Sequence, residues 1–354
     1  MPERETATAG LVDEPEDQAA GAAEASTYGN PARDVAQRVL RSPGSRVGGV
    51  LVLLLLALSL LYSGDFASVS NFRNIALDSS ILLILAVGTT FLMASGGFDL
   101  SNGSVLVFAG VIGVKVMESA GGTSVGTILL GAAGCLGAGL AWGLFSGVIV
   151  AFWRITPFIV TLGTFSAAYG ATLVISGGQD LTDIPEPLVD NFGYGRLGGL
   201  LPLPVLLAVG VAIVAGLFLQ RARFGRYSLI IGSSQEAAVR SGIAVRRHQV
   251  KLYALSGMLS GLAGFVSLAR FSSTTITGHL TDNLNAIVAV VIGGTSLFGG
   301  AATMVGTVIG ALIPSVLNNG LVIAGFSSYW QQVATGVLLI AVVGADQLRR
   351  TRRD

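Results

Sequence analysis

Apolar runs recur along this chain, separated by short polar or glycine-rich stretches. "VGGVLVLLLLALSLLYSG" is followed by "ILLILAVGTTFLMA", by "VLVFAGVIGV" and by further runs of similar character. Crossing about 30 Å of hydrocarbon takes about 20 residues of helix. On that measure the pattern predicts ten spans, at 48–62, 75–94, 103–118, 124–152, 157–176, 200–219, 252–269, 285–298, 301–322 and 329–345. The third and eighth are short and interrupted by glycine, which predicts broken or re-entrant segments there. Between the second and third runs lies "SGGFDLSNGS", residues 95–104, with one carboxylate among glycines. A glycine break at Gly96 and Gly97 frees backbone groups, tolerable at membrane depth only inside protein or along a watery path. Asp99 is placed to cap the half-helix that follows, accepting from amides near Gly103 and facing the positive end of the helix dipole.

Composition supports the membrane assignment. Apolar residues make up 52% of the 354, charged residues only 12%, and a soluble domain typically carries about 25%. The mean hydropathy is +0.72. Many of the 49 glycines fall within apolar runs, where small residues let helices approach closely. Gly139, Gly143 and Gly147 lie four apart on one helix face, and Gly257/Gly261 and Gly306/Gly310 repeat the spacing. All are expected to pack helices. Cys135 stands alone in an apolar run and is expected to be a buried packing residue. His248 and His279 lack metal-ligand spacing, so no structural metal is expected. "GGFDLSNGSVLVFAGVIG" (96–113) has a loose echo in "GGTSLFGGAATMVGTVIG" (293–310), too rich in glycine to imply internal duplication.

Residues 1–45 have no apolar periodicity and are expected to form a disordered tail. Their length argues for a first transmembrane helix at 48–62 over a signal peptide. The net charge, +1, says little; its distribution orients the chain. With the N-terminus cytoplasmic, sixteen of the basic residues fall inside: Arg33, Arg38, Arg41 and Arg46 gathered before the first span, Arg154, seven from Arg221 to Lys251, and four in "RRTRR". Arg73, Arg196 and Arg270 fall outside, together with the loop bearing Asp180, Asp183, Glu186 and Asp190. An even number of spans returns the basic tail, 347–354, to the cytoplasm.

Enzymatic chemistry finds no support. A P-loop needs a lysine after glycine, and valine precedes both Lys115 and Lys251. No HExxH is present, and the charges within the apolar region are few: Asp78, Asp99, and Lys115 with Glu118 as an i,i+3 pair at an outer boundary. The segment 221–251 is different in kind. Its basic flanks suit lipid headgroups. Its middle, "SSQEAAVRSGIAV", predicts a short helix capped by Ser233 or Ser234 and closed by Gly242. Such a helix lies on lipid or docks a cytoplasmic protein, and the residues alone leave both open.

"GGFDLSNGS", "RITPFIVTLGTFSAAYGATLVISGG", "RFGRYSLIIGSSQEAAVRSGIAV", "LYALSGMLSGLAG" and "AIVAVVIGGTSLFGGAATMVGTVIGALI" together resemble, in order and spacing, the ribose-type permeases of bacterial ABC sugar importers. The resemblance runs from about Asn74 to Asp346. It implies an all-α polytopic bundle in the bacterial inner membrane (domain 46–346), with both termini cytoplasmic. It implies no cofactor in this chain, since ATP would be bound by a partner ATPase subunit. An extracytoplasmic sugar-binding protein, a second permease copy and membrane lipid complete the expected partners, and no nucleic acid is expected. It further implies that "SSQEAAVRSGIAV" is a coupling segment entering a groove on the ATPase, with Glu236, Ala237, Ala238, Arg240 and Gly242 on the matching positions. Related branched-chain amino-acid permeases share the architecture and form the alternative; a stand-alone ion-coupled carrier is a more distant one. "PFIVTLGT" and "GGTSLFGG" resemble the sugar branch more closely.

Sugars in transit need hydroxyls, amides and aromatic faces. Phe158, Thr161, Thr164, Phe165, Asn318 and Asn319 are therefore candidates for lining the path, each with ordinary helix packing as its alternative. For Asp99 a capped turn shaping the gate stands ahead of direct sugar contact and of a proton relay.

Overall fold

The computed structural model describes residues 43–351, so most of the proposed N-terminal tail and the last three residues lie outside the described residues. Among the described residues twelve helices of six or more residues follow in order: α1 Pro43–Leu61, α2 Val69–Ala94, α3 Asn102–Ala120, α4 Val125–Trp153, α5 Pro157–Ser176, α6 Leu203–Arg221, α7 Arg223–Ser233, α8 Gln235–Arg240, α9 Val245–Phe271, α10 Asp282–Ile292, α11 Met304–Ile323 and α12 Ser328–Thr351. Ten of them coincide with the ten apolar runs. Among the described residues eight helices are long and apolar enough to cross a membrane, and the apolar part of α1, Val47–Leu61, and α10 are shorter. Between α5 and α6 a short helical turn, Glu186–Leu188, leads into a π-turn at Val189–Gly193. A two-residue ladder then pairs β1 (Arg196–Leu197) with β2 (Leu201–Pro202).

Local signals place the helix ends. Ser68 accepts from the Asn71 amide at the start of α2, Ser124 from that of Thr127 at the start of α4, and Thr303 from that of Gly306 at the start of α11. Each satisfies one of the amides that a helix N-terminus leaves free. Pro157 opens α5, where its missing N–H costs nothing.

The glycine faces pack helices as the spacing implies. A Cβ on Gly139 would overlap the Gly257 carbonyl and lie 2.8 Å from the Gly261 amide nitrogen; Gly143 and Gly147 meet Tyr253 and Val250 in the same way. α4 and α9 therefore run backbone against backbone. Gly306 and Gly310 of α11 meet Gly293 and Ala289 beside α10. Cys135 is buried against Gly113. α2 and α9 are the most enclosed of the membrane-length helices, with α3, α4, α6, α10 and α11 packed around them.

The break expected in the third run moves, and the eighth is found with other bounds. The third run is an unbroken helix of 19 residues, and the break precedes it, at 95–101. The eighth, expected at 285–298, is helical over only 11 residues. At 1.5 Å per residue that is about 16 Å, half of the hydrocarbon thickness. Residues 293–303 continue it as an irregular, glycine-rich stretch leading into α11.

Candidate functional site

The break after α2 climbs back into the bundle. Asn102, the first residue of α3, donates from Nδ2 to Thr89 Oγ1 at 3.2 Å, so α3 starts beside a point about 8 Å short of the end of α2. Asp99 is 4% exposed. Its Oδ1 accepts from the Ser101 amide at 2.9 Å and the Ser101 hydroxyl at 2.6 Å, and its Oδ2 from Ser256 Oγ at 3.3 Å. The carboxylate therefore caps the turn two residues on, and not the amides near Gly103. The N-cap position belongs to Ser101, whose side chain makes no capping bond of its own. Around it Asn102 Oδ1 accepts from Ser256 and Ser260, and Tyr253 donates to the Phe98 carbonyl at 2.7 Å. Ser256 lies eleven residues into α9, about 16 Å from its start, so this polar knot is deep in the bundle. Gly96, exposed and with φ of +76°, makes the reversal; Gly97 follows it, half-buried.

A polar cavity of about 400 Å³ lies between α2, the end of α9, α10, α11 and α12. Asn318 and Asn319, named above as path candidates, line it. So do Asn74, Asp78, Arg270, Phe271, His279, Asp282, Asn285 and Gln331. Its charged groups face one another. Arg270 donates to Asp78 at 3.4 Å and to Asn74 at 3.2 Å, and His279 Nδ1 lies 2.8 Å from Asp282 Oδ2 while its Nε2 lies 2.7 Å from Ser267 Oγ. Asn319 exchanges two hydrogen bonds with Asn71, at 3.0 and 2.8 Å. What remains for a ligand is a wall of amides, the Ser315 hydroxyl, the aliphatic side chains of Ile81, Leu82 and Val322, and one aromatic face. The cavity and the break adjoin, because Asn283 of α10 donates to the Leu100 carbonyl at 2.8 Å and the His279 carbonyl packs on Gly103.

Asp78, Arg270, His279, Asp282 and Asn285 were not singled out as site residues from the sequence. One signal was there: Asn71, Asn74 and Asp78 share a face of α2 at i, i+3 and i+7. Arg270 and His279 look like loop residues in a charge count, and nothing local shows that their segment folds over the cavity. Asp180 does hold that segment in place, accepting from the Ile276 amide at 2.6 Å and Thr274 Oγ1 at 3.2 Å.

The remaining candidates lie elsewhere. Phe158 is 60% exposed on α5, whereas Thr161 and Thr164 are buried and bonded to carbonyls of their own helix. Phe165 is half-buried on the same helix, and α5 contributes nothing to the polar cavity. A larger cavity, about 780 Å³, runs beside α6 and α9, but only Lys251 interrupts its apolar lining, so it offers nothing for a polyol.

The segment after α6 carries α7 and α8. Ser234 caps α8 by accepting from Ala237 at 3.2 Å, and Gly242 follows with φ of +78°. Glu236, Ala237, Arg240 and Gly242 are exposed, with Glu236 and Arg240 paired to each other at 2.6 Å. Ala238 points inward, packed with Ile231 and Val245, so it fixes the helix to the domain and presents no face.

The family described as "Branched-chain amino acid transport system / permease component" matches residues 71–343. The ribose import permease protein of Escherichia coli K12 is 37% identical over 303 residues, covering 85% of this chain and 93% of the relative. That of Bacillus subtilis 168 is 36% identical over 298 residues, 84% and 90% of the two chains. The D-allose transport system permease protein of Escherichia coli K12 is 33% identical over 299 residues, again 84% and 90%. No solved structure gives a significant match.

Proposed function

Because this chain belongs to the permease-component family of the branched-chain amino-acid transport systems, sharing over a third of the aligned residues with ribose import permeases, we propose that it is the membrane subunit of an ABC importer for a monosaccharide. It works in a bacterial inner membrane as a multi-pass protein and hydrolyses no ATP itself. An ATPase subunit supplies that step, and a substrate-binding protein delivers the sugar. A second permease copy completes the pathway.

The observation that carries the sugar assignment beyond the family is the polar cavity. A neutral polyol needs many donors and acceptors and no net counter-charge. The amides of Asn318 and Gln331 supply the first, with the second hydrogen and lone pair that the amides of Asn74, Asn285 and Asn319 keep beyond their bonds to protein, and Phe271 offers an apolar face for the sugar ring. A branched-chain amino acid would need a free cation, a free anion and an apolar pocket. Here Arg270 and Asp78 are spent on each other. With both termini cytoplasmic, as the charge distribution orients the chain, the cavity opens outward. The break at 95–101 then lies on its inner side. Binding of ATP and of the loaded binding protein shifts the balance between two arrangements of this path. Gly96, Gly97 and Asp99 shape the inner gate, and Glu236, Ala237, Arg240 and Gly242 face the ATPase.

The test is uptake into proteoliposomes holding the permease, its ATPase and the binding protein, with labelled D-ribose, D-allose, D-galactose and L-leucine supplied in turn. ATP-dependent accumulation of a sugar is expected. Accumulation of leucine with no sugar would overturn the assignment.

A further inference from the structure

Where the coupling segment reaches the two breaks, its contact with the membrane domain is made by backbone. Gly232, the last residue but one of α7, sits against the end of α2 and the irregular stretch before α11. A Cβ there would overlap the Ala94 carbonyl and the Gly300 amide nitrogen, and would lie 2.9 Å from Gly299 Cα. From the other side, a Cβ on Gly299 would lie 2.7 Å from Gly232 Cα and 2.8 Å from the Gly96 amide nitrogen. A Cβ on Gly300 would come within 2.7 Å of Ser233 Oγ. Gly96, Gly299 and Gly300 have φ of +76°, +88° and +80°, which glycine alone adopts without strain. One hydrogen bond, Gly300 N–H to the Ala94 carbonyl at 3.0 Å, ties the two breaks together at this point. Three segments far apart in the chain therefore meet with no side chain between them.

We propose that this glycine clasp, Gly232 against Gly96, Gly299 and Gly300, is where movement of the ATPase-docked segment enters the gate. This rests on the docking reading of "SSQEAAVRSGIAV" given above. Close-packed backbone cannot absorb a displacement as flexible side chains do. One residue separates Gly232 from Ser234, the cap of α8. A shift of α8 imposed by the ATPase must therefore carry Gly232 with it, and Gly232 bears on both breaks at once. One of these leads through 97–101 to Asp99; the other continues into α10, the floor of the polar cavity. Side-chain contacts of α8 then set how tightly the ATPase binds, and the clasp sets whether its cycle moves the gate.

The test uses the full complex of permease, ATPase and binding protein, with amide hydrogen exchange followed by mass spectrometry in the ATP–vanadate and nucleotide-free states. This reads the gate without knowing the sugar. In the wild type, exchange at 95–101 and 293–303 should change with nucleotide. Couplings between distant sites run about 5–150-fold, and Gly232→Ala should flatten this one to less than about twofold while ATP hydrolysis and ATPase co-purification persist. A wild-type nucleotide response in that variant overturns the proposal.

If Gly232→Ala does not assemble, Gly300→Ala decides from the other face of the clasp. Its response should be lost, because its Cβ would lie 2.7 Å from Ser233 Oγ and 3.2 Å from Ser233 Cα, on a backbone with φ of +80°. An unchanged response overturns the clasp. The docking reading fails separately, if Glu236→Lys with Gly242→Val leaves ATPase co-purification untouched.

Discussion

Replacing Asp99 separates a structural carboxylate from a working one. Asp99 accepts three hydrogen bonds, two from Ser101 and one from Ser256. In Asp99→Leu the Ser101 amide loses its partner while buried, which costs about 1–3 kcal/mol. The Ser101 hydroxyl loses its 2.6 Å partner as well, adding about 1 kcal/mol. Together the loss is about 2–4 kcal/mol, offset in part by relief of a buried charge. Asp99→Asn behaves differently. Its amide oxygen keeps both bonds to Ser101. The single hydroxyl hydrogen of Ser256, now shared between Asp99 and Asn102 Oδ1 at 3.1 Å, passes wholly to Asn102, and the Ser256 oxygen accepts from the new amide. The net cost is less than about 1 kcal/mol, and Asn is as good a turn and cap residue as Asp. The assay is the apparent melting midpoint of the purified permease in detergent, with uptake measured in parallel. Asp99→Leu should melt well below the wild type and transport poorly, whereas Asp99→Asn should match it closely in both. A drop in Asp99→Asn as large as in Asp99→Leu would refute the hydrogen-bond reasoning. A normal melt with no transport would show instead that the charge itself works in the cycle.

Three further outcomes follow from the same structure. In a Cys135→Ser background, Asp183→Cys and Gln235→Cys should react with impermeant reagents from opposite sides of the membrane; labelling from one side would invert the orientation. Gly242→Val, strained by roughly 1–2 kcal/mol at φ of +78°, and Glu236→Lys should leave insertion intact while weakening ATPase co-purification and sugar-stimulated hydrolysis. If the segment merely rests on anionic lipid, Glu236→Lys should tighten that contact and spare the ATPase. Gly257→Val should cost at least the 1–3 kcal/mol or so of an overpacked core, because its Cβ overlaps the Gly139 carbonyl and lies 2.8 Å from Gly143 Cα. Gly163→Ala, with open space around it, should melt like the wild type.

The helices and their packing faces were legible because each depends on a local pattern. An apolar run long enough to span hydrocarbon has few alternatives to helix, and glycines four apart mark a face whatever packs on it. Which faces meet is not local: nothing in "GLAWGLFSG" names Gly257 and Gly261 as its counterpart. The polar cavity was legible only in part for the same reason. Asn318 and Asn319 lie on a spanning helix and were named, whereas Arg270 and His279 sit at a helix end and a turn. There a charge count sees solvated loop, and the Asp180 bonds that fold the segment inward cross about 95 residues of sequence.

The two breaks show where sequence reasoning meets its physical limit. "GGFDLSNGS" announced a glycine break, and the match of 96–113 with 293–310 did not suffice to imply duplication in a glycine-rich chain. In the structure both matching stretches begin at irregular segments, and these lie against each other, joined by Gly300 N–H to the Ala94 carbonyl. Common descent is not needed to explain that. A backbone freed from helix inside a membrane domain must find partners within protein. Another freed backbone is the closest available partner, provided that neither carries side chains at the contact. Two glycine-rich breaks thus pack against each other with one hydrogen bond between their segments, and a further glycine, Gly232, is what lets an element outside the spans reach them. Glycine content predicts that such contacts are sterically allowed, and only the assembled helices decide where they form.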